Sequence, residues 1–403
     1  MSSLKEIGIN RLKTRKRSFS GRLFESKGDF IVEEILSDGE VKSVEKTSSD
    51  LQPGEKGDFV VFTLIKEGLS TSEALRQLSR SLKISIKRFG YHGNKDKNAI
   101  TSQEISIFKA DAGRLENRYP NMFIKDIKYG TTGCKIGNIY GNKFAVSVRD
   151  FSGSDSDLEE FRKEASAGIP NFFGPQRFGS SALNIDVSKA VLKKDFKSAI
   201  HTFLFAVRNE GKEAAAYRET LSQFFSSFVL EDTQVDKEKA ESILNSAPRF
   251  MYLEASLVSR LLQAPHDYIG AFRLIPKYLR LLILQSYQSY IFNLVLSDLL
   301  KENNVLVKTI PMIGYDLEID KIEDEGLRRI TTSVLEKEAV SLQELKLTQM
   351  PETSLKTFTR DAFVIPENLA FERKDGNLII SFQLKGGAYA TILLTEMLGR
   401  SEI

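Results

Sequence analysis

The residues best placed to do chemistry lie in one short stretch, "YHGNKDKNAITSQ" (91–103), where a single carboxylate, Asp96, sits between Lys95 and Lys97. From 76 to 97 seven basic residues (Arg76, Arg80, Lys83, Lys87, Arg88, Lys95, Lys97) accompany that one acid, a local charge of +6. Solvated faces usually mix their signs. Such a patch attracts a polyanion, and its cations keep a lone carboxylate ionised. An ordinary aspartate has a pKa of about 3.9, and Lys95 and Lys97 are expected to lower it, leaving an anion at neutral pH. The bland alternative is a turn residue, flanked by Gly and Asn, that bonds its own backbone; the local pattern by itself favours it.

A second unusual stretch is "NFFGPQRFGS" (171–180), with three Phe, two Gly, a Pro, an Arg, an Asn and a Gln in ten positions. It suits neither a helix nor an alternating strand. As packing, it is an aromatic-anchored core loop. As recognition, its Phe and Arg planes stack on an unpaired base while its amides read the base edge. Composition leaves both open. The run "RLKTRKR" (11–17) reads as a solvated tail that holds phosphates if it lies beside a nucleic-acid site. His92 reads as a loop residue, and Tyr287 and Tyr290 as helix packing, with Gln288 and Asn293 polar on a largely apolar helix. "GNKDK" lacks the spacer of the guanine-reading motif and no upstream phosphate loop matches, which sets GTP binding aside.

These residues need elements to hold them. "STSEALRQLSRSL" (70–82) opens with a capping box, Ser70 and Glu73, and continues with Ala74, Leu75, Leu78 and Leu82 at helical spacing, turning Arg76, Arg80 and Lys83 outward. Strands are expected at "FIVEEIL" (30–36), "DFVVFTLI" (58–65), "FIKDIKYG" (123–130), "NKFAVSVRD" (142–150) and "NLIISFQL" (377–384). Asp96 therefore falls on a loop between sheet elements. A helix follows at 155–165, and from about 186 to 355 the pattern is mostly helical. A β-rich start and finish around a helical middle predicts an α+β chain with an inserted domain.

The 403 residues carry a formal charge of only +3, with +5 in the first thirty and −8 outside that segment and 76–97. A polyanion site thus comes from uneven distribution. One cysteine, Cys134, excludes an intramolecular disulfide. With three scattered histidines (His92, His201, His266) it cannot supply the usual close-spaced zinc pairs. A reducing, cytoplasmic setting fits. The N-terminus lacks an apolar stretch of signal length, and "LLILQSYQSYIFNLVLS" (281–297) is too polar for a membrane span.

Taken in order, "GDFIVEEI" (28–35), "GNKDKNAITSQ" (93–103), "GNIYGNKF" (137–144) with Arg149, "NFFGPQRFG" (171–179), "YQSYIFN" (287–293) and "FQLKGGAYAT" (382–391) carry a resemblance. The chain resembles the TruD family of tRNA pseudouridine synthases over nearly its whole length. The resemblance implies a pseudouridine synthase catalytic domain, a mixed or antiparallel sheet with helices, formed by 1–185 and 356–403. A mostly helical TruD-specific domain, 186–355, is inserted in it. The implied activity is isomerisation of a tRNA uridine, generally the one at position 13 of the D arm. The expected partner is tRNA, with no membrane, no obligatory protein partner, no metal and no cofactor; the chain is expected to be a monomer.

Pseudouridine formation breaks the N1–C1′ bond, turns the uracil and rejoins it through C5, so no redox partner or energy source is needed. Asp96 matches the family's catalytic aspartate, which attacks C1′ or acts as a base at the sugar. The resemblance assigns base-pocket positions to Phe30, Asn171, Phe173 and Phe382 and substrate contacts to Lys95 and Arg177. Arg76, Arg80, Lys83, Lys87, Arg88 and Lys97 are expected along the RNA backbone. Flipping the target costs a few kcal/mol, and stacking returns about 1–3 kcal/mol per base. Phe382 has no hydroxyl, so water or Asp96 takes the C5 proton. Three positions depart from the family pattern: Ser70 where Asn often stands, Lys385 in place of a frequent Pro, and Phe24 where a basic residue is common. Arg22 or Lys27 is the expected substitute for the last. The rival class is a non-catalytic RNA-binding protein or RNA chaperone, which gains nothing from a carboxylate in a phosphate-attracting patch. A nuclease ordinarily needs clustered carboxylates or a His pair.

Overall fold

The computed structural model describes residues 4–52, 56–231, 233–302 and 307–399. Its strands are β1 (Ser20–Arg22), β2 (Phe30–Ile35), β3 (Phe59–Glu67), β4 (Phe89–Tyr91), β5 (Ile100–Phe108), β6 (Met122–Gly130), β7 (Gly141–Ser152), β8 (Ile169–Pro170), β9 (Thr309–Met312), β10 (Phe358–Asp361), β11 (Phe363–Val364), β12 (Glu367–Lys374) and β13 (Asn377–Lys385). The helices are α1 (Thr71–Leu82), α2 (Asp155–Ser166), α3 (Leu183–Leu192), α4 (Phe196–Phe205), α5 (Lys212–Glu231), α6 (Lys237–Asn245), α7 (Tyr252–Gln263), α8 (Tyr268–Leu274), α9 (Lys277–Lys301), α10 (Glu325–Lys337) and α11 (Ala390–Leu398). The fold class is α+β.

Two compact units make up the chain. One joins Thr14–Ile169 to Val364–Gly399, and the other joins Met1–Lys13 to Pro170–Phe363. The divisions fall after Lys13 and inside β8 and β11, where the resemblance implied 185/186 and 355/356.

In the first unit the sheet runs β12-β13-β7-β2-β5-β3-β6, with β1 on β7 and β4 on β5. β2 and β5 are parallel, while the other strand pairs of this sheet are antiparallel. The helix α1 forms as its sequence predicts: the Ser70 hydroxyl accepts the Glu73 amide and the Glu73 carboxylate accepts the Ser70 amide. Ala74, Leu75, Leu78 and Leu82 bury against Val60, Phe62, Leu64, Ile105 and Ile107. Each buried leucine contributes about 1.5–3 kcal/mol.

The second unit is mostly helical and centres on α9, buried on nearly every side, which is why its sequence shows apolar residues all round. β9 and β10 form a small antiparallel pair in it. α3 and α4 are separate helices, broken around Lys194, whose φ is +63°. Among the described residues no helix is long and apolar enough to cross a membrane.

Candidate active site

Asp96 is half-buried in the connection between β4 and β5, and side chains from the neighbouring elements hold that connection in place. Lys66, near the end of β3 and 1% exposed, donates to the carbonyls of Leu69 (2.6 Å), Asp96 (2.8 Å) and Lys95 (3.4 Å). The Thr71 hydroxyl accepts the Lys95 amide at 2.9 Å and donates to Gln103 Oε1 at 2.9 Å. Gln103 in turn donates to the Gly93 carbonyl at 3.1 Å. Lys95 points inward: its ammonium pairs with Glu34 Oε1 at 2.7 Å and donates to Asn142 Oδ1 at 2.8 Å. Glu34 Oε2 accepts the Glu104 amide at 2.8 Å.

Register explains why these groups converge. Lys66 stands opposite Thr101, Val32 beside Thr101, and Glu34 opposite Asn142. With a side-chain period of two, Lys66, Gln103, Glu34 and Asn142 therefore share one sheet face. Burial pushes the Lys66 ammonium down to about 8, while the Asp96 charge acts in the opposite sense. Two lysines thus supply positive charge at the root of the loop, Lys66 and Lys95, and the Lys95 ammonium is committed to the protein's own carboxylate.

The same face carries a row of rings. Phe24 meets Phe30 edge-on at 5.3 Å, Phe30 stacks on Phe144 at 6.0 Å, and Phe144 stacks on Phe382 at 5.1 Å. Each such pair adds about 0.5–1.5 kcal/mol beyond burial. Phe30 and Phe382 are 6% and 1% exposed, whereas Phe24, at the end of the row, is half-buried and holds a φ of +59°, uncommon for a bulky residue.

Arg76, Arg80, Lys83 and Lys87 are exposed on and just after α1. Lys97 is exposed but bonds Glu73 at 2.8 Å. That bond, with the cap to Ser70, holds the Glu73 carboxyl down at about 2. Arg88 is turned to its own chain, donating to the carbonyls of Phe108 and Lys109.

Asn171, Phe173 and Arg177 belong to the helical unit and form their own cluster. Asn293 of α9 accepts the Phe173 amide at 2.9 Å and donates to the carbonyls of Phe173 (3.0 Å) and Ile7 (2.8 Å). This is the work of a polar residue on an otherwise apolar helix. Arg177 donates to Ser289 and Gln285. Arg360, which the sequence reading missed, lies 4.0 Å over the Phe173 ring and donates to Asn171 Oδ1 at 2.7 Å. Asn171 Nδ2 donates to the Asp361 carbonyl at 3.0 Å. These bonds use one lone pair of Oδ1 and one of the two Nδ2 hydrogens of Asn171.

Within the basic run 11–17, Arg11, Arg15 and Lys16 are exposed as expected from its charge, but Arg17 is not part of a solvated tail. Arg17 is buried and bonds both oxygens of Glu164, at 2.8 and 3.1 Å, because α2 presents that carboxylate beside Phe161. Arg22 pairs with Asp150 at 2.6 Å, and Arg149 grips Asp29 with two nitrogens. His92 is in a loop, yet it is buried and bonds Glu104 at 3.3 Å. Lys66, Glu34, Thr71, Gln103 and Asn142 were missed as site residues; their signal is contact across strands, which spacing along the chain does not display.

With this geometry in view, comparison with known proteins is specific. The family model described as tRNA pseudouridine synthase D (TruD) matches residues 6–308 and 300–397. A protein of Methanopyrus kandleri named "Probable tRNA pseudouridine synthase D" is 30% identical over 370 residues, covering 86% of this chain and 87% of its own length. A Methanococcus vannielii protein of the same name is 30% identical over 412 residues, covering 98% and 99%. The crystal structure of the Methanosarcina mazei TruD protein superposes with a TM-score of 0.72 at 26% identity, covering 98% of each chain.

Proposed function

Because the chain belongs to the tRNA pseudouridine synthase D family, we propose that it converts the uridine at position 13 of the tRNA D arm to pseudouridine and that Asp96 performs the chemistry. The supporting observation is the clamp on the Asp96 loop, in which buried Lys66 takes the Asp96 carbonyl and Thr71, Gln103 and the Lys95–Glu34 pair fix the residues before it. A turn that merely reverses the chain needs no such set of buried polar partners. Fixing one carboxylate against a flipped nucleotide is the positioning that converts a weak nucleophile or base into an effective one.

In this reading the sheet unit is the catalytic domain and the helical unit is the family-specific part that grips the RNA. Phe30 and Phe382 support the base from the sheet face, and Asn171, Phe173 and Arg177 are recognition elements of the helical unit. Arg76, Arg80, Lys83 and Lys87 face phosphates. Lys95 acts beneath the loop through Glu34, a positioning role instead of a substrate contact. The isomerisation conserves every atom, so it consumes no redox partner or group donor.

The test is to map pseudouridine in unmodified tRNA transcripts after incubation with the protein. Conversion at position 13, abolished by a cytidine there, is the expected result. Conversion only at another uridine overturns the position, and binding without conversion anywhere overturns the enzymatic reading in favour of an RNA-binding protein.

A further inference from the structure

On the sheet face opposite the ring row, three side chains far apart in sequence meet. His92 lies just past β4, Glu104 is in β5, and Cys134 is in the turn between β6 and β7. Their ligand atoms all fall within 4.8 Å of one another. His92 Nε2 is 3.3 Å from Glu104 Oε1, and Cys134 Sγ is 3.7 Å from that same oxygen. A tetrahedral zinc with ordinary bond lengths separates its nitrogen and oxygen ligands by about 3.3 Å, and sulfur and oxygen by about 3.5 Å.

The surroundings are arranged as metal sites require. His92 Nδ1 lies 3.0 Å from the Lys135 carbonyl, the contact that fixes a ligand imidazole and leaves Nε2 for the metal. The other oxygen of Glu104 is held by buried Lys42 at 3.2 Å, so Oε1 is the one that faces His92 and Cys134. The Cys134 amide donates to the Ser106 hydroxyl at 2.8 Å. Gly90 lets this turn approach closely: a Cβ there would stand 2.6 Å from the Cys134 carbonyl oxygen.

We propose that His92, Glu104 and Cys134 form a three-ligand zinc site, with water completing the tetrahedron, that ties the turn around Cys134 to the root of the Asp96 loop. A thiolate, an imidazole and a carboxylate together select a borderline cation such as Zn²⁺ over Mg²⁺ or Ca²⁺. His92 precedes Asp96 by four residues, so the ion stiffens the loop from the face away from the ring row. Its role is structural, and it does not depend on which reaction the loop serves.

The chain has a single cysteine, which makes the test unambiguous. Full-length protein stripped with chelator is titrated with Co²⁺, then with Zn²⁺. One equivalent of Co²⁺ producing thiolate charge-transfer absorption, displaced by Zn²⁺, is expected. Cys134→Ser should lose that absorption, and either Cys134→Ser or His92→Gln should weaken Zn²⁺ binding at least about 100-fold. Wild-type protein without stoichiometric binding, or a Cys134→Ser protein that binds as tightly, overturns the proposal. In that event the cluster is a His92–Glu104 ion pair alone. The wild-type titration decides this even if a variant fails to fold.

Discussion

Lys66 stands near the end of a β-branched run, where a lysine ordinarily marks the emergence of a strand into water. It is instead buried, because three carbonyls of two connections converge on it. Replacing it with Met removes the group that fixes the Asp96 backbone. Uridine conversion is expected to fall by about 100-fold, since a displacement near 1 Å costs that much, while tRNA affinity stays within a few-fold. Equal loss of binding and turnover would assign Lys66 to RNA contact. Its pKa adds a second readout. The folded value, about 8, lies below the ordinary 10.5, so the buried charge weakens the fold below pH 8 and that cost is relieved as pH rises from 8 toward 10.5. The stability of wild type relative to Lys66→Met therefore rises across that window; a flat difference contradicts the burial of a charged Lys66.

Among elements, α1 was legible from sequence because its cap, its apolar spacing and its outward bases all agree. Glu73 caps it with a carboxyl held at about 2 against an ordinary 4.5, so its contribution is complete above pH 4.5 and is lost as pH falls toward 2. Glu73→Gln should flatten that acid limb of the unfolding curve; an unchanged limb would remove the cap from the stability of the fold. On the outer face, the double reversal Arg80→Glu with Lys83→Glu should weaken tRNA binding and lower the slope of log affinity against log salt by about 2, one for each lost phosphate contact. An unchanged slope would place the RNA elsewhere. Other elements were hidden. The α10 sequence opens at Glu325, where the charged stretch EIDKIEDE (318–325) ends, yet Leu327, Ile330, Val334 and Leu335 bury a helical stripe. β12 is an edge strand with charged residues on both faces, a composition that protects an edge and masks a strand.

At the scale of the molecule, the mixture of a strand-rich unit and a helical unit was legible from where periodicity changes, but the exact division was not. Residues 171–179 look like loop by composition and join the helical unit because Asn293 and Arg177 tie them to α9. The sheet unit, conversely, needs the chain's end, since β13 pairs with β7 from Leu378 opposite Val148 to Lys385 opposite Gly141. Truncation after residue 363 should abolish amide protection along Gly141–Ser152 while α9 retains its own; protection surviving in β7 would contradict that dependence. The His92, Glu104 and Cys134 cluster was illegible for the same reason as Lys66, since only the folded sheet makes neighbours of residues 92, 104 and 134. If the Asp96 carboxylate, on a loop whose backbone is clamped, isomerises the uridine, single-turnover conversion of a tRNA transcript by wild type and Asp96→Asn at saturating protein reads it directly. Pseudouridine formed by wild type and none by an Asp96→Asn protein that binds tRNA equally well is the predicted result. Conversion by Asp96→Asn at a rate near wild type would contradict it.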